Sequence, residues 1–121
     1  MAEWLAGRVS DFDDEQRRII SANGREIVVF ERNGRFHALE NTCLHMGGPV
    51  GEGILIGKVE AVLSEDNRFL GERFSEDEIH IVCPWHGWEY DIETGRCAGD
   101  RRRRLGRYET QQRGDEVYVI A

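Results

Sequence analysis

Apolar residues recur along this chain in short alternating runs, and nowhere at the three-and-four spacing of a long amphipathic helix. Residues 17–22, 26–32 and 35–41 form three such runs, separated by Asn23-Gly24 and Asn33-Gly34. Asn-Gly accepts the positive φ angles of a tight two-residue turn, so these runs predict a hairpin-linked meander. The central Ile27-Val28-Val29-Phe30 is β-branched and aromatic and predicts a buried strand. Phe36 and Ala38 alternate with polar neighbours, as in a half-buried strand. Residues 79–82, 88–92 and 116–120 predict further short strands. Ser64-Glu65-Asp66-Asn67 predicts a turn between two hairpin arms within residues 54–74. The pattern is all-β, and 121 residues fit a single domain spanning 1–121.

Two of the predicted strands run into unusual loops. The third leads into Cys43-Leu44-His45, and residues 79–82 lead into Cys83-Pro84-Trp85-His86. Gly47, Gly48, Pro49, Gly51 and Gly53 follow the first motif, and Gly87 follows the second, so both loops bend sharply. Each motif supplies one thiolate and one imidazole. Two Cys and two His are the ligand set of a 2Fe–2S centre in which His replaces Cys on one iron. Soft thiolates suit ferric iron and bridging sulfide. Neutral imidazoles donate less charge, so their iron takes the incoming electron. Structural zinc uses the same ligand types, but zinc fingers space them differently and lack the Gly-Gly-Pro and Pro-Trp-His-Gly contexts. His37 and His80 lie within strand patterns with no paired-His-plus-carboxylate spacing, and read as satisfied or exposed side chains. Cys97 reads as a spare, partly buried cysteine.

The run from Cys43 through His45, Gly47, Gly48 and Pro49 to Gly53 resembles the first cluster loop of Rieske ferredoxins and Rieske oxygenases. The run from Cys83 through Pro84, Trp85, His86, Gly87 and Tyr90 to Asp91 resembles their second, and Thr94-Gly95 follows at the expected distance. The likeness covers the chain in outline and is specific in about twenty residues around the loops. It implies a Rieske-type antiparallel β-sandwich with a small cluster-binding subdomain formed by the two loops. It implies one Rieske 2Fe–2S cluster, with Cys43 and Cys83 on the inner iron and His45 and His86 on the outer iron near the surface. The function implied is that of a one-electron carrier and not an enzyme, taking electrons from a flavin-dependent reductase and passing them to a terminal oxygenase or similar redox enzyme. A tightly bound electron-transfer subunit of another oxidoreductase and a zinc-binding structural module are the competing readings.

Departures from the family pattern carry information. Respiratory members of the cytochrome bc type link their loops by a disulfide; Gly48 and Trp85 stand at those positions here. Those members also place a sulfide-bonding serine after the second histidine, whereas Gly87 follows His86 here. Fewer donors stabilise the reduced cluster less, which predicts a low potential. Residues at about 54–78 read as a segment inserted between the two cluster loops.

Charge narrows the partners. The formal net charge is −7. Residues 54–82 carry seven acids against three bases, while residues 83–121 carry seven of each sign, so the run Arg101-Arg102-Arg103-Arg104 reads as a solvated strand or loop. Such a chain is a poor nucleic-acid binder and suits a basic protein surface. Met46, Trp85 and Trp88 flank the ligands and read as cluster shields at a docking tip. No apolar run reaches membrane-span length, and the N-terminus lacks signal-peptide features, so the expectation is no membrane association and a cytoplasmic location. Three cysteines there do not make a disulfide framework.

Overall fold

The computed structural model describes residues 2–121. Nine strands run β1 (Glu3–Arg8), β2 (Arg18–Ala22), β3 (Arg25–Arg32), β4 (Arg35–Glu40), β5 (Ile54–Leu63), β6 (Phe69–Val82), β7 (Glu89–Asp91), β8 (Arg107–Arg113) and β9 (Glu116–Ile120). Short 3-10 turns cover Val9–Glu15 and Val50–Glu52. The strands form two antiparallel sheets, a large one in the order β1-β9-β8-β4-β3-β2 and a small one in the order β5-β6-β7. This is the all-β class read from the sequence.

The predicted meander forms β2, β3 and β4. Both of its turns have two consecutive positive φ angles, 52° and 72° at Asn23 and Gly24, and 54° and 80° at Asn33 and Gly34. That is the type I′ geometry whose twist matches paired strands. β3 carries its apolar run because it is buried on both faces. Ile27 and Val29 face one core with Phe12, Ala38, Val117 and Val119. Val28 and Phe30 face the other with Leu39, Ile81, Tyr90 and Leu105. The second core also contains Cys43 and Cys83, so the cluster loops grow out of the most buried part of the molecule.

Two strands, β1 and β8, lie outside the sequence-based prediction. β8 (sequence RYETQQR) is almost wholly polar and joins the sheet through β4 and β9. β1 closes onto β9, and Ala2 and Ala121 exchange both backbone hydrogen bonds at 2.9 Å.

The turn at residues 64–67 joins β5 and β6, as its sequence predicts, but the arms are longer than the pattern implied. Ile54 pairs with Val82 beside the second cluster loop, and the ladder runs outward to Leu63 and Phe69. In its outer half the usual alternation is inverted. Val59 lies opposite Phe74 and Leu63 opposite Phe69, all on one face, and that face is exposed. Glu60 and Arg73 pair on the other face.

Candidate metal centre

Both cluster loops are built on one hydrogen-bond frame. The Gly47 amide donates to the Cys43 carbonyl at 2.9 Å, and the Gly87 amide to the Cys83 carbonyl at 3.2 Å. The Cys43 amide donates to the Gly48 carbonyl at 2.9 Å, and the Cys83 amide to the Trp88 carbonyl at 2.8 Å. Each turn closes on a glycine four residues after its cysteine, with φ of 75° at Gly47 and 70° at Gly87, where a side chain would be strained. The difference is the histidine. His45 is two residues beyond its cysteine. His86 is three beyond and itself takes a positive φ of 68°.

The frame brings all four predicted residues to one end of the molecule. Cys43 and Cys83 are buried, while His45 and His86 are exposed with ring centroids 4.8 Å apart in an edge-on arrangement. Trp88 stacks on His45 at 4.7 Å with planes 12° apart. Met46 and Trp85 stand exposed beside the imidazoles. A Cβ built on Gly48 would come within 2.9 Å of both the Cys83 Sγ and the Trp85 Cβ. The two positions that carry a disulfide in respiratory members therefore face each other here without one, and Gly48 lets the first loop close directly on the second.

These residues fit a binuclear cluster. Among the described residues, no three His, Cys, Asp or Glu side chains converge as a single-ion site requires. The donors fall instead into a thiol pair and an imidazole pair, which is how a Rieske centre divides its ligands. Burial pushes the Cys83 thiol up, and the neighbouring Cys43 sulfur acts in the same direction against the Trp85 amide. Metal coordination reverses this, because it deprotonates a coordinating thiol outright.

Supports from distant parts of the chain hold the first loop. The Tyr90 hydroxyl accepts from the Leu44 amide at 3.1 Å and lies 3.1 Å from the Cys43 Sγ. A metal-bound Cys43 thiolate has no proton to give, so in the loaded protein the hydroxyl would donate to the sulfur. Burial, and then the Cys43 sulfur, push its pKa up, so the hydroxyl keeps that proton. Asn41 accepts from the Gly51 amide at 2.6 Å and donates to Glu26 at 2.5 Å. Arg17 donates to the carbonyls of Gly51 and Gly53 at 2.6 and 2.5 Å. Tyr90 lies within the second motif and Asn41 two residues before the first, but the sequence assigns neither of them these bonds, and Arg17 lies far from both motifs.

The remaining candidates sit elsewhere. His37 is buried in β4 and stacks on Phe30 at 5.4 Å. His80 is buried in β6, with its ring nitrogens 2.6 Å from Glu78 and 3.1 Å from Glu89. Cys97 is buried beside Tyr90, with which it forms a backbone bridge.

Known proteins complete the assignment. Fold and donor set define an iron–sulfur domain with two ligand loops, and the family profile of the Rieske [2Fe-2S] domain matches residues 3–109. The chain belongs to the Rieske [2Fe-2S] family, and its cofactor is one Rieske-type 2Fe–2S cluster. It is 32% identical over 89 residues to the human Rieske domain-containing protein, covering 74% of this chain and 46% of that one, so it spans about half the length of that relative. It is 28% identical over 104 residues to ferredoxin CarAc of Metapseudomonas resinovorans, covering 85% and 78% of the two chains. A solved complex of reduced oxygenase and oxidized ferredoxin in carbazole 1,9a-dioxygenase has a chain of the same fold, with TM-score 0.69, 24% identity and coverage of 97% and 91%. No helix among the described residues is long and apolar enough to cross a membrane.

Proposed function

We propose that this chain is a one-electron carrier whose cluster is held by Cys43 and Cys83 on the inner iron and by His45 and His86 on the outer one. The observation that carries the reading is the division of the donors: two thiols buried in the core and two imidazoles exposed together at the tip. Electrons then leave through the imidazole end, where the path to a partner is shortest. The bound cluster supplies the redox chemistry. The chain supplies the ligands, shields them with Met46, Trp85 and Trp88, and presents the docking face. A relative that is the ferredoxin component of a dioxygenase system supports a terminal oxygenase as acceptor; in this reading the donor is a flavin-dependent reductase and the location the cytoplasm.

With no loop disulfide and Gly87 after His86, the potential belongs in the lower part of the Rieske range of about −150 to +300 mV. The Tyr90 proton on the Cys43 sulfur offsets this upward, because it favours the more negative reduced cluster. Residues 54–78 are an insertion between the cluster loops.

Metal analysis tests the assignment. The purified protein contains two irons and two acid-labile sulfides. Stoichiometric zinc without sulfide sinks the reading. A second reading, a tightly bound electron-transfer subunit of a larger oxidoreductase, is favoured by one observation. Phe69, Leu70 and Phe74 on the outer hairpin are each about two-thirds exposed. Purification as a free monomer argues for the carrier, and purification in a stoichiometric complex for the subunit.

A further inference from the structure

The net charge of the chain and the charge around its exposed imidazoles have opposite signs. Residues 43–49 and 83–88, which form the tip, carry no Asp, Glu, Lys or Arg. Cationic residues reach the tip from the turn that follows Cys97, and two acids, Glu89 and Asp100, border it beside Gly87 and Trp88. Its four arginines, Arg101 to Arg104, are all exposed, and the single acid among residues 97–104 is Asp100. Arg103 anchors this turn to the site. Its guanidinium lies 5.4 Å from the Trp88 ring centroid and reaches the Leu44 carbonyl at 3.5 Å. Trp88 in turn stacks on His45, so Arg103 is one ring removed from an imidazole of the site. Among the described residues Arg102 pairs with Asp100, at 3.4 Å with its side chain 92% exposed, which leaves most of its charge to solvent. Most of the acids that make the molecule negative lie elsewhere. Glu65 and Asp66 occupy the hairpin turn, and Glu76 and Asp77 lie on the exposed part of β6. The hairpin tip is carried outward by the ten residues of β5, about 30 Å of strand.

Distance decides which charge a docking partner feels. The screening length is about 8 Å at physiological ionic strength. Arg103 lies about one such length from the His45 ring by way of Trp88, Arg102 and Arg101 precede it directly in the same turn, and the acids of the hairpin turn are carried about 30 Å along β5. We propose that Arg101, Arg102 and Arg103 form a cationic collar that recognises a redox protein whose electron-transfer site is rimmed by carboxylates. This inference rests on the placement of the cluster between His45 and His86. It reverses, at the docking face, the basic partner that the net charge alone implies.

Small redox ions of opposite charge test the collar without a purified partner. Dithionite-reduced protein is mixed in stopped flow with hexacyanoferrate(III) or hexaammineruthenium(III) at about 0.1 M ionic strength. One electron passes to the metal of the probe, reducing it from the III to the II state, and no bond is made or broken. The collar predicts that Arg101→Ser/Arg102→Ser slows oxidation by the anion on the order of 3–10-fold and speeds oxidation by the cation, with the visible spectrum unchanged. Glu76→Gln/Asp77→Asn leaves both rates within about twofold of wild type, since those charges are screened. If the arginine variant leaves both rates unchanged, or if the hairpin variant has the larger effect, the collar is overturned. Tryptophan quenching by iodide against caesium reads the same surface without the cluster. A preference for iodide that the arginine variant abolishes, together with unchanged electron-transfer rates, places the collar off the electron path and overturns the proposal. A protein with that iodide preference and no cluster spectrum fails at the ligand assignment instead, and the proposal falls with it.

Discussion

Cys43 and Cys83 each close a turn on a glycine four residues later, with the same two backbone hydrogen bonds, yet the two loops are stabilised in different ways. The first is braced from outside. Tyr90 holds Leu44 and Cys43, Asn41 holds Gly51, and Arg17 holds Gly51 and Gly53. Among the described residues the second has no comparable set of side-chain braces. It carries its own strain, with a non-glycine residue, His86, at φ 68°. A ligand in the left-handed region costs about 1–2 kcal/mol, which the surrounding contacts and the bound cluster must offset. One backbone frame can therefore present its histidine at either of two positions. The Cys-x-His and Cys-x-x-His spacings are variants of one turn and not two designs.

The largest expected effect treats the loops as equals. Cys43→Ser and His86→Ala each abolish the visible absorbance and the labile sulfide, because ligand binding is coupled to loop folding. Cys97→Ser, which touches neither loop frame, leaves the spectrum intact. A bleached Cys97 variant means the ligand set is misassigned.

Glycine substitutions separate the loops next. Gly48→Ala forces a Cβ to within 2.8 Å of the Trp85 ring and 2.9 Å of the Cys83 sulfur, so it should cost about 1–3 kcal/mol in urea unfolding and diminish cluster content. At Gly87 nothing lies within 4 Å of an added Cβ, so Gly87→Ala should cost only the φ penalty of about 1–2 kcal/mol and retain the cluster. Equal cluster loss in both variants contradicts the close approach at Gly48.

Tyr90→Phe sharpens the contrast in bracing. The Leu44 amide loses its acceptor, and the Cys43 sulfur loses a donor. Spectroelectrochemistry should show a potential lower by on the order of 50 mV, the equivalent of about one hydrogen bond for a one-electron couple. An unchanged potential removes Tyr90 from the tuning of the cluster.

The smallest effect concerns the strand that feeds the first loop. Burial lowers the pKa of His37 below its ordinary value, with Glu93 opposing and Arg35 assisting. The unfolded chain therefore binds a proton more readily than the folded one. Stability from this group is complete above about pH 6.5 and declines as pH falls from there toward the folded value. Thermal unfolding between pH 7 and 5 should show a shallower decline in His37→Gln than in wild type. A parallel decline assigns the acid sensitivity elsewhere.

What the sequence revealed follows from where the information sits. Asn-Gly turns and a β-branched run are local signals, so β2, β3 and β4 were legible. The four candidate ligands also stand out locally, because few other contexts place Cys and His among glycines in this way. β8 was hidden because hydrogen bonding to β4 and β9, and not an apolar face, holds it in the sheet. Tyr90 meets Cys43 across 47 positions, Arg17 meets Gly51 across 34, and Arg103 meets Leu44 across 59. No periodicity reports such pairings. On the collar proposed above, net charge is a poor guide for a related reason. A net value averages over distances that screening keeps apart, so it describes neither the hairpin nor the tip.

The reciprocal pairing of Ala2 with Ala121 has a further, topological consequence. A polypeptide entering at one and leaving at the other does so at a single point, on the first and last strands of the large sheet. The fold is thus a closed circuit opened at one place, and that place can be moved. A circular permutant that joins residues 2 and 121 by a short flexible linker and opens the chain in the exposed turn at residues 65–67 keeps every strand pairing of both sheets.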